Sequence, residues 1–306
     1  MIETYPQALP HGVTLSCRAS GARGRPLLVF LHGFPEAAFV WDELLAHFSK
    51  AENGGYRCVA PNLRGYEKSS APADVSEYRP KHLVQDIAAL IETEGAPAEC
   101  LVAHDWGGAL AWGLANRLPH LIKRLAIINS PHPGTFLREL KSNPGQQAAS
   151  AYMNFLIRPD AEKLLAANDY ARMWPFFSNG GADSSWLTDD VKNQYREIWN
   201  GPVAGAAPGA GLVGGCNYYR ASPLRPPRAE DPAAAAIEMP HDSLTVSVPT
   251  FVLWAMDDIA LPAELIDGLE AYIPQLTLER VQGASHWIVH ERPQFVAQRL
   301  QNFLAR

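Results

Sequence analysis

Cysteine is scarce in this chain of 306 residues, and the four present, Cys17, Cys58, Cys100 and Cys216, are scattered without a C-x-x-C spacing. That argues against a disulfide scaffold or a thiolate metal site, and three of the four lie in apolar or strand-like surroundings where reduced core residues sit. Long apolar runs are missing as well, since none approaches the ~18 residues of a membrane span. The opening Met1-Ile2-Glu3-Thr4-Tyr5-Pro6 has neither the basic start nor the apolar stretch of a secretory signal, so a cytoplasmic protein is expected. Positive charge is outnumbered, with 26 Lys and Arg against 32 Asp and Glu and a formal net charge of −6. Without a dense basic cluster, nucleic-acid and anionic-membrane surfaces are not expected. The ten histidines show no H-x-x-x-H or H-E-x-x-H spacing, so neither a metal nor any other cofactor is expected. Repeats and low-complexity tails are absent too. What is there is a globular composition, 47% hydrophobic and 19% charged, long enough for one large domain with an inserted subdomain. The expected partner is a small molecule, and a homodimer is compatible with this composition.

Apolar runs of strand length alternate with segments of helical period, the pattern of a mostly parallel sheet wrapped by helices. Pro26–Leu31 is the first strong buried strand and Tyr56–Ala60 the next. Between Lys81 and Glu92 the apolar stripe Leu83, Val84, Ile87, Ala88 and Ile91 predicts a helix leading to a strand at Cys100–Ala103. Leu125–Ile128 follows as a strand, and Pro249–Trp254 as another. Between them the chain is rich in aromatics and helix formers and is broken by Gly/Pro stretches at 201–211 and 222–240. The reading is an α/β core of residues 1–131 and 246–306 with a mainly helical cap, residues 132–245, whose Gly/Pro loops serve either as hinges or as plain surface excursions.

The segment Ala103-His104-Asp105-Trp106-Gly107-Gly108 carries the chemistry. It joins a buried strand to a helix in the manner of a G-x-S-x-G nucleophile elbow, with Asp105 where a hydrolase places serine. A carboxylate there attacks saturated carbon, displaces a leaving group and leaves an alkyl ester for water to cleave. Upstream, Phe30-Leu31-His32-Gly33-Phe34-Pro35 ends a strand where open α/β sheets bind ligands, so the backbone N–H groups of Phe34 and Trp106 are candidates for an oxyanion hole. Downstream, His286 follows the strand Thr277–Val281 and precedes the terminal helix, completing the chain order nucleophile, acid, histidine. His290, four residues on, is the rival and is expected to line the wall instead. The acid is Asp257 or Asp258; the register counted from Trp254 selects Asp258 and turns Asp257 to solvent. Asn129, after the preceding strand, stands where an acid is another option, but an amide cannot stabilise an imidazolium by charge.

Taken together, His32-Gly33-Phe34-Pro35-Glu36, His104-Asp105-Trp106-Gly107-Gly108, Gly283-Ala284-Ser285-His286-Trp287 and Asn217-Tyr218-Tyr219-Arg220 resemble the α/β-hydrolase-fold epoxide hydrolases over nearly the whole chain. The resemblance implies Asp105 as nucleophile, His286 as base, Asp258 as its orienting acid and Tyr219 as one ring-opening acid. It also implies a second cap tyrosine, with Tyr152 chosen over Tyr170; Tyr218 is the alternative to Tyr219. Ala255 and Met256 depart from the Gly and Glu common before the acid in that family. The chemistry favours tyrosine independently: an epoxide oxygen departs as a poor alkoxide leaving group, and a phenol of ordinary pKa ≈ 10 donates to it while staying protonated at neutral pH. The expected reaction therefore opens a small-molecule epoxide with water to a vicinal diol, in a pocket walled by Phe34, Trp106 and Trp287. The alternatives are a dehalogenase using the same aspartate, disfavoured because Phe34 offers no side-chain donor to a halide, and a non-catalytic receptor on the same fold.

Overall fold

A computed structural model describes the chain except residues 96, 179–182, 202–208 and 229–230. Eight strands form one sheet: β1 (Glu3–Ala8), β2 (Thr14–Ser20), β3 (Leu27–Leu31), β4 (Arg57–Pro61), β5 (Cys100–His104), β6 (Leu125–Ile128), β7 (Thr250–Ala255) and β8 (Leu276–Val281). Their spatial order is β1-β2-β4-β3-β5-β6-β7-β8. β1 and β2, and β2 and β4, pair antiparallel; every other pair is parallel. The central strands are buried on both faces, which is why they read as continuous apolar runs rather than as alternating patterns. The sequence pattern passes over β1 and β2, because β1 is largely exposed, contains Pro6 and carries no apolar run.

The core helices are α1 (Asp42–Phe48), α2 (Pro80–Glu94) and α3 (Asp105–Arg117), with α12 (Ile288–Glu291) and α13 (Pro293–Leu304) at the end of the chain. α2 begins at a proline, which suits the first helical turn, and ends at Gly95 in the left-handed region with φ +106°. Alternate residues of the strands divide the core. Val29, Leu31 and Leu101 pack with residues of α2 and α3, whereas Leu28, Phe30 and Val102 pack with residues of α1 and α13. At about 25 cal/mol per Å² these apolar layers supply the main drive to fold.

Between β6 and β7 the described chain is helical: α4 (Pro133–Ser142), α5 (Pro144–Ala149), α6 (Ala151–Leu156), α7 (Ala161–Tyr170), α8 (Trp174–Ser178), α9 (Asp189–Asn200), α10 (Leu212–Ala221) and α11 (Pro232–Ala235). An apolar cluster of their own, including Met153, Leu165, Phe177, Tyr195 and Trp199, also takes in Phe34 and Trp287 from the sheet side. The end of α7 is irregular, with Asn168, Asp169 and Tyr170 all in the left-handed region at φ +55°, +54° and +58°. Most of the expected hinge at 201–211, and residues 229–230 of the second Gly/Pro stretch, lie outside the described residues. No described helix is long and apolar enough to cross a membrane.

Candidate active site

β5 delivers Asp105 to the first position of α3 with φ +48°. A non-glycine residue held there costs about 1–3 kcal/mol, so the surroundings must impose it. Close packing does so. A Cβ on Gly107 would stand 2.5 Å from the carbonyl oxygen of Leu31, and one on Gly33 would stand 2.3 Å from Cβ of Asp105. Only glycine lets the β3 loop, the elbow and α3 meet this closely. The Phe34 N–H then donates to Asp105 Oδ1 at 2.7 Å, while Ser130 Oγ donates to the Asp105 carbonyl at 2.7 Å. Among the described residues the Trp106 N–H makes no bond to the Asp105 carboxylate; lying in the first turn of α3, it has no acceptor within the helix.

Three elements converge on Asp105. From the loop after β8, His286 Nε2 reaches to 3.7 Å of Asp105 Oδ2, too long for a hydrogen bond. On its other side His286 Nδ1 lies 2.6 Å from Asp258 Oδ2. Asp258, after β7, is fully engaged: Oδ2 also accepts from Asn129 Nδ2 at 2.8 Å, and Oδ1 accepts the Ala260 and Leu261 N–H groups at 2.9 Å each. Burial resists its ionisation, but the charge and hydrogen bond of His286 outweigh burial and lower its pKa. Asp257 is exposed and gives only its backbone N–H to the Ala284 carbonyl, so the aspartate that meets the histidine is Asp258. Burial likewise works against charge on His286, yet Asp258 first, then Asp105 and Glu36, push it up to about 9.

Sequence reasoning gave Glu36 no role beyond its place in the resembling motif. Its carboxylate is buried, with His104 Nδ1 3.0 Å from Oε2 and His290 Nε2 3.1 Å from Oε1. Burial opposes its charge, but the two histidines hold it well below the usual carboxylate range. The other nitrogen of His104 lies 2.9 Å from the His286 carbonyl oxygen. Both ring nitrogens of His104 thus lie within hydrogen-bond distance of an oxygen. His290 does not line the cavity as expected; it stacks on Trp186 at 4.0 Å between ring centres and meets the Tyr195 hydroxyl at 2.9 Å. The signal for Glu36 in the sequence is its fixed distance from Phe34 in the tight turn after β3.

Above Asp105 two phenols face one another, Tyr152 from α6 and Tyr219 from α10, with ring centres 6.0 Å apart. Tyr219 stands edge-on to Phe34 and Trp106 at 5.3 and 5.1 Å. Burial, with the negative charge of Asp105 added, raises both phenols above the ordinary tyrosine value, so both stay protonated. The alternatives point elsewhere. Tyr218 donates to the Arg64 carbonyl at 3.0 Å, and Tyr170 donates to Asn200 Oδ1 at 2.6 Å.

Two cavities meet at Asp105, Tyr152 and Tyr219. One, about 280 Å³, is walled by Phe34, Phe176, Ile259, His286 and Trp287. The other, about 190 Å³, runs past Trp106, Phe136, Met153 and Leu244. Mostly apolar walls with a few converging polar groups are what small-molecule sites offer. Chemically, the arrangement presents a carboxylate to one side of a bound ring, two phenol donors to the other, and a carboxylate-paired imidazole beside the carboxylate.

A family model described as the alpha/beta hydrolase fold matches residues 26–293. The Bacillus subtilis AB hydrolase superfamily protein YfhM is 34% identical over 295 residues, covering 96% of this chain and 95% of that protein. Epoxide hydrolase 3 of Xenopus tropicalis is 32% identical over 303 residues, 98% of this chain and 77% of that protein. The crystal structure of Bacillus megaterium epoxide hydrolase in complex with an inhibitor superposes with a TM-score of 0.85 at 31% identity, over 99% of this chain and all of that one. On the matching family model, these identities and the shared fold, the chain belongs to the α/β-hydrolase-fold epoxide hydrolase family.

Proposed function

We propose that this enzyme hydrolyses epoxides to vicinal diols through an ester on Asp105, under a helical cap formed by residues 132–245. The observation that carries the reading is the pair of protonated phenols facing a carboxylate nucleophile across one cavity. Attack by Asp105 on a ring carbon breaks the C–O bond, and the departing oxygen takes a proton from Tyr152 or Tyr219. Esterification removes the negative charge of Asp105, one of the causes that raise His286. The imidazolium then gives its proton to the phenolate and becomes a neutral base. It next accepts a proton from water, whose oxygen attacks the ester carbonyl; the Phe34 and Trp106 N–H groups hold the resulting oxyanion. Collapse frees the diol and restores the carboxylate and the imidazolium, so the net reaction consumes only epoxide and water. Asp258 orients His286 and balances its charge throughout.

Diol formation from styrene oxide by the intact protein tests the reading. Turnover that disappears in Asp105→Ala supports it, whereas turnover surviving in that variant, or none in the unmodified protein, contradicts it.

A further inference from the structure

Two tryptophans tie the cap to the core beside the catalytic cavity, one donating in each direction. Trp199, near the end of α9, donates its indole N–H to the Pro35 carbonyl at 2.9 Å. Trp287, directly after His286, donates its indole N–H to the Phe176 carbonyl of α8 at 2.8 Å. Phe177 packs against both, 4.5 Å from the Trp287 ring and stacked at 6.2 Å on that of Trp199. Burial alone does not supply such partners: the indole N–H groups of Trp41 and Trp254 are as deeply buried and have none. Among the described residues no other donor reaches the Pro35 carbonyl, and Trp199 itself lines neither cavity at Asp105. Pro35 sits in the middle of the turn after β3. Before it, Phe34 gives its N–H to Asp105 Oδ1; after it, Glu36 is fixed by its own N–H to the Gly33 carbonyl at 3.1 Å and by His104 and His290. The core thus holds both ends of this turn, and the cap holds its middle.

We infer that Trp199 is a positioning residue for ester hydrolysis: its indole N–H fixes the turn that carries the Phe34 N–H, so the cap sets the oxyanion hole. The inference rests on the proposed two-step opening of epoxides and deepens it. The direction of the effect follows from the charge at Asp105. Ring opening removes the negative charge that the Phe34 N–H stabilises, whereas attack of water on the ester creates a new one in the same place. A misplaced Phe34 N–H therefore leaves ring opening its rate and slows hydrolysis. Loss of an oxyanion donor outright slows reaction by about 10²–10³, and a donor that is displaced rather than removed is expected to lose roughly tenfold.

The test follows one turnover of styrene oxide by the intact protein, resolving ester formation from ester decay. Trp199→Phe removes the indole N–H and keeps an aromatic ring; benzothienylalanine in place of Trp199 exchanges the N–H for sulfur and keeps the shape of the indole as well. In both, ester decay is expected to slow roughly tenfold while ester formation stays within about twofold of the unmodified rate. In the steady state kcat falls, and kcat/KM, which reports the steps through ring opening, is retained. Trp174→Phe is the control. That ring lies 4.9 Å from the Trp199 ring, but its N–H bonds the Asp169 carbonyl inside the cap, so both rates are kept. Equal slowing of both steps with benzothienylalanine, unchanged ester decay there, or the same shift in Trp174→Phe overturns the inference. An unmodified protein that leaves styrene oxide intact, or opens it without an ester, overturns instead the reading on which the inference rests.

Discussion

Tyr152 and Tyr219 are held protonated by burial and by the nearby charge of Asp105, so each is a donor that costs nothing to prepare at neutral pH. Tyr219→Phe or Tyr152→Phe is expected to slow ring opening by roughly 10² in a single turnover, because general acid assistance is worth about that much. The double variant should show no ester at all, and stopped-flow fluorescence, with Trp106 against the site, follows the step directly. Asn129 is a second test at this scale. Its amide donates to Asp258 at 2.8 Å and accepts the Ala255 N–H at 2.8 Å, so Asn129→Ala leaves buried groups unpaired. Denaturant titration should show a loss of about 1–3 kcal/mol. Much of this was legible in the sequence: an aspartate at the elbow announces itself, and the fold order points to His286. The part played by Asn129 was not, because it depends on two strand ends, β6 and β7, lying side by side in the sheet.

Helix α10 carries Tyr219 and lies against the core backbone to backbone. A Cβ on Gly214 would stand 2.1 Å from the Gly65 carbonyl oxygen, and one on Gly215 would stand 2.8 Å from the Phe34 ring. The Tyr218 hydroxyl bonds the Arg64 carbonyl, and Arg64 is itself held by Asp86 at 2.7 Å. Gly214→Ala must therefore move α10 outward and carry Tyr219 with it. Ring opening is expected to slow by more than ester hydrolysis, a split that pre-steady-state kinetics resolves; equal slowing of both steps would contradict this placement. The helices of this region were legible as a class, from their composition and the Gly/Pro breaks. The left-handed turn at Asn168–Tyr170 was not. Asn and Asp tolerate that conformation, but tyrosine does not favour it, and beside the local bond from Trp174 Nε1 to the Asp169 carbonyl at 2.8 Å the ion pair from Arg196 to Asp169 at 2.7 Å comes from the separate helix α9. β1 escaped because an exposed edge strand carries little hydrophobic pattern, and β2, paired on both sides, buries the alternate small or apolar residues Leu15, Cys17 and Ala19 among polar ones.

For the molecule as a whole, buried titratable groups set a pH window. Burial lowers His32 and His132 to about 4, so the folded protein binds fewer protons than the unfolded chain between about 4 and 6.5. Their contribution is complete above 6.5 and is lost as pH falls toward 4, at up to about 1.4 kcal/mol per pH unit for each. His286, raised to about 9, acts in the other direction: its contribution is complete below 6.5 and is lost as pH rises toward 9. Tm should therefore peak near pH 6.5 and fall on both sides, and a flat profile from pH 4 to 9 would contradict these assignments. Catalysis has its own signature. In the proposed mechanism the ester removes the charge of Asp105, so ester hydrolysis should gain rate with an apparent pKa below 9, measured on the accumulated intermediate. The most direct measurement is one turnover of excess enzyme with styrene oxide in ¹⁸O-labelled water, followed by mass spectrometry of the peptide containing Asp105. The account predicts that diol forms and ¹⁸O appears in Asp105. Diol formed with the label confined to the product would contradict it, because water would then have opened the ring without an ester on Asp105.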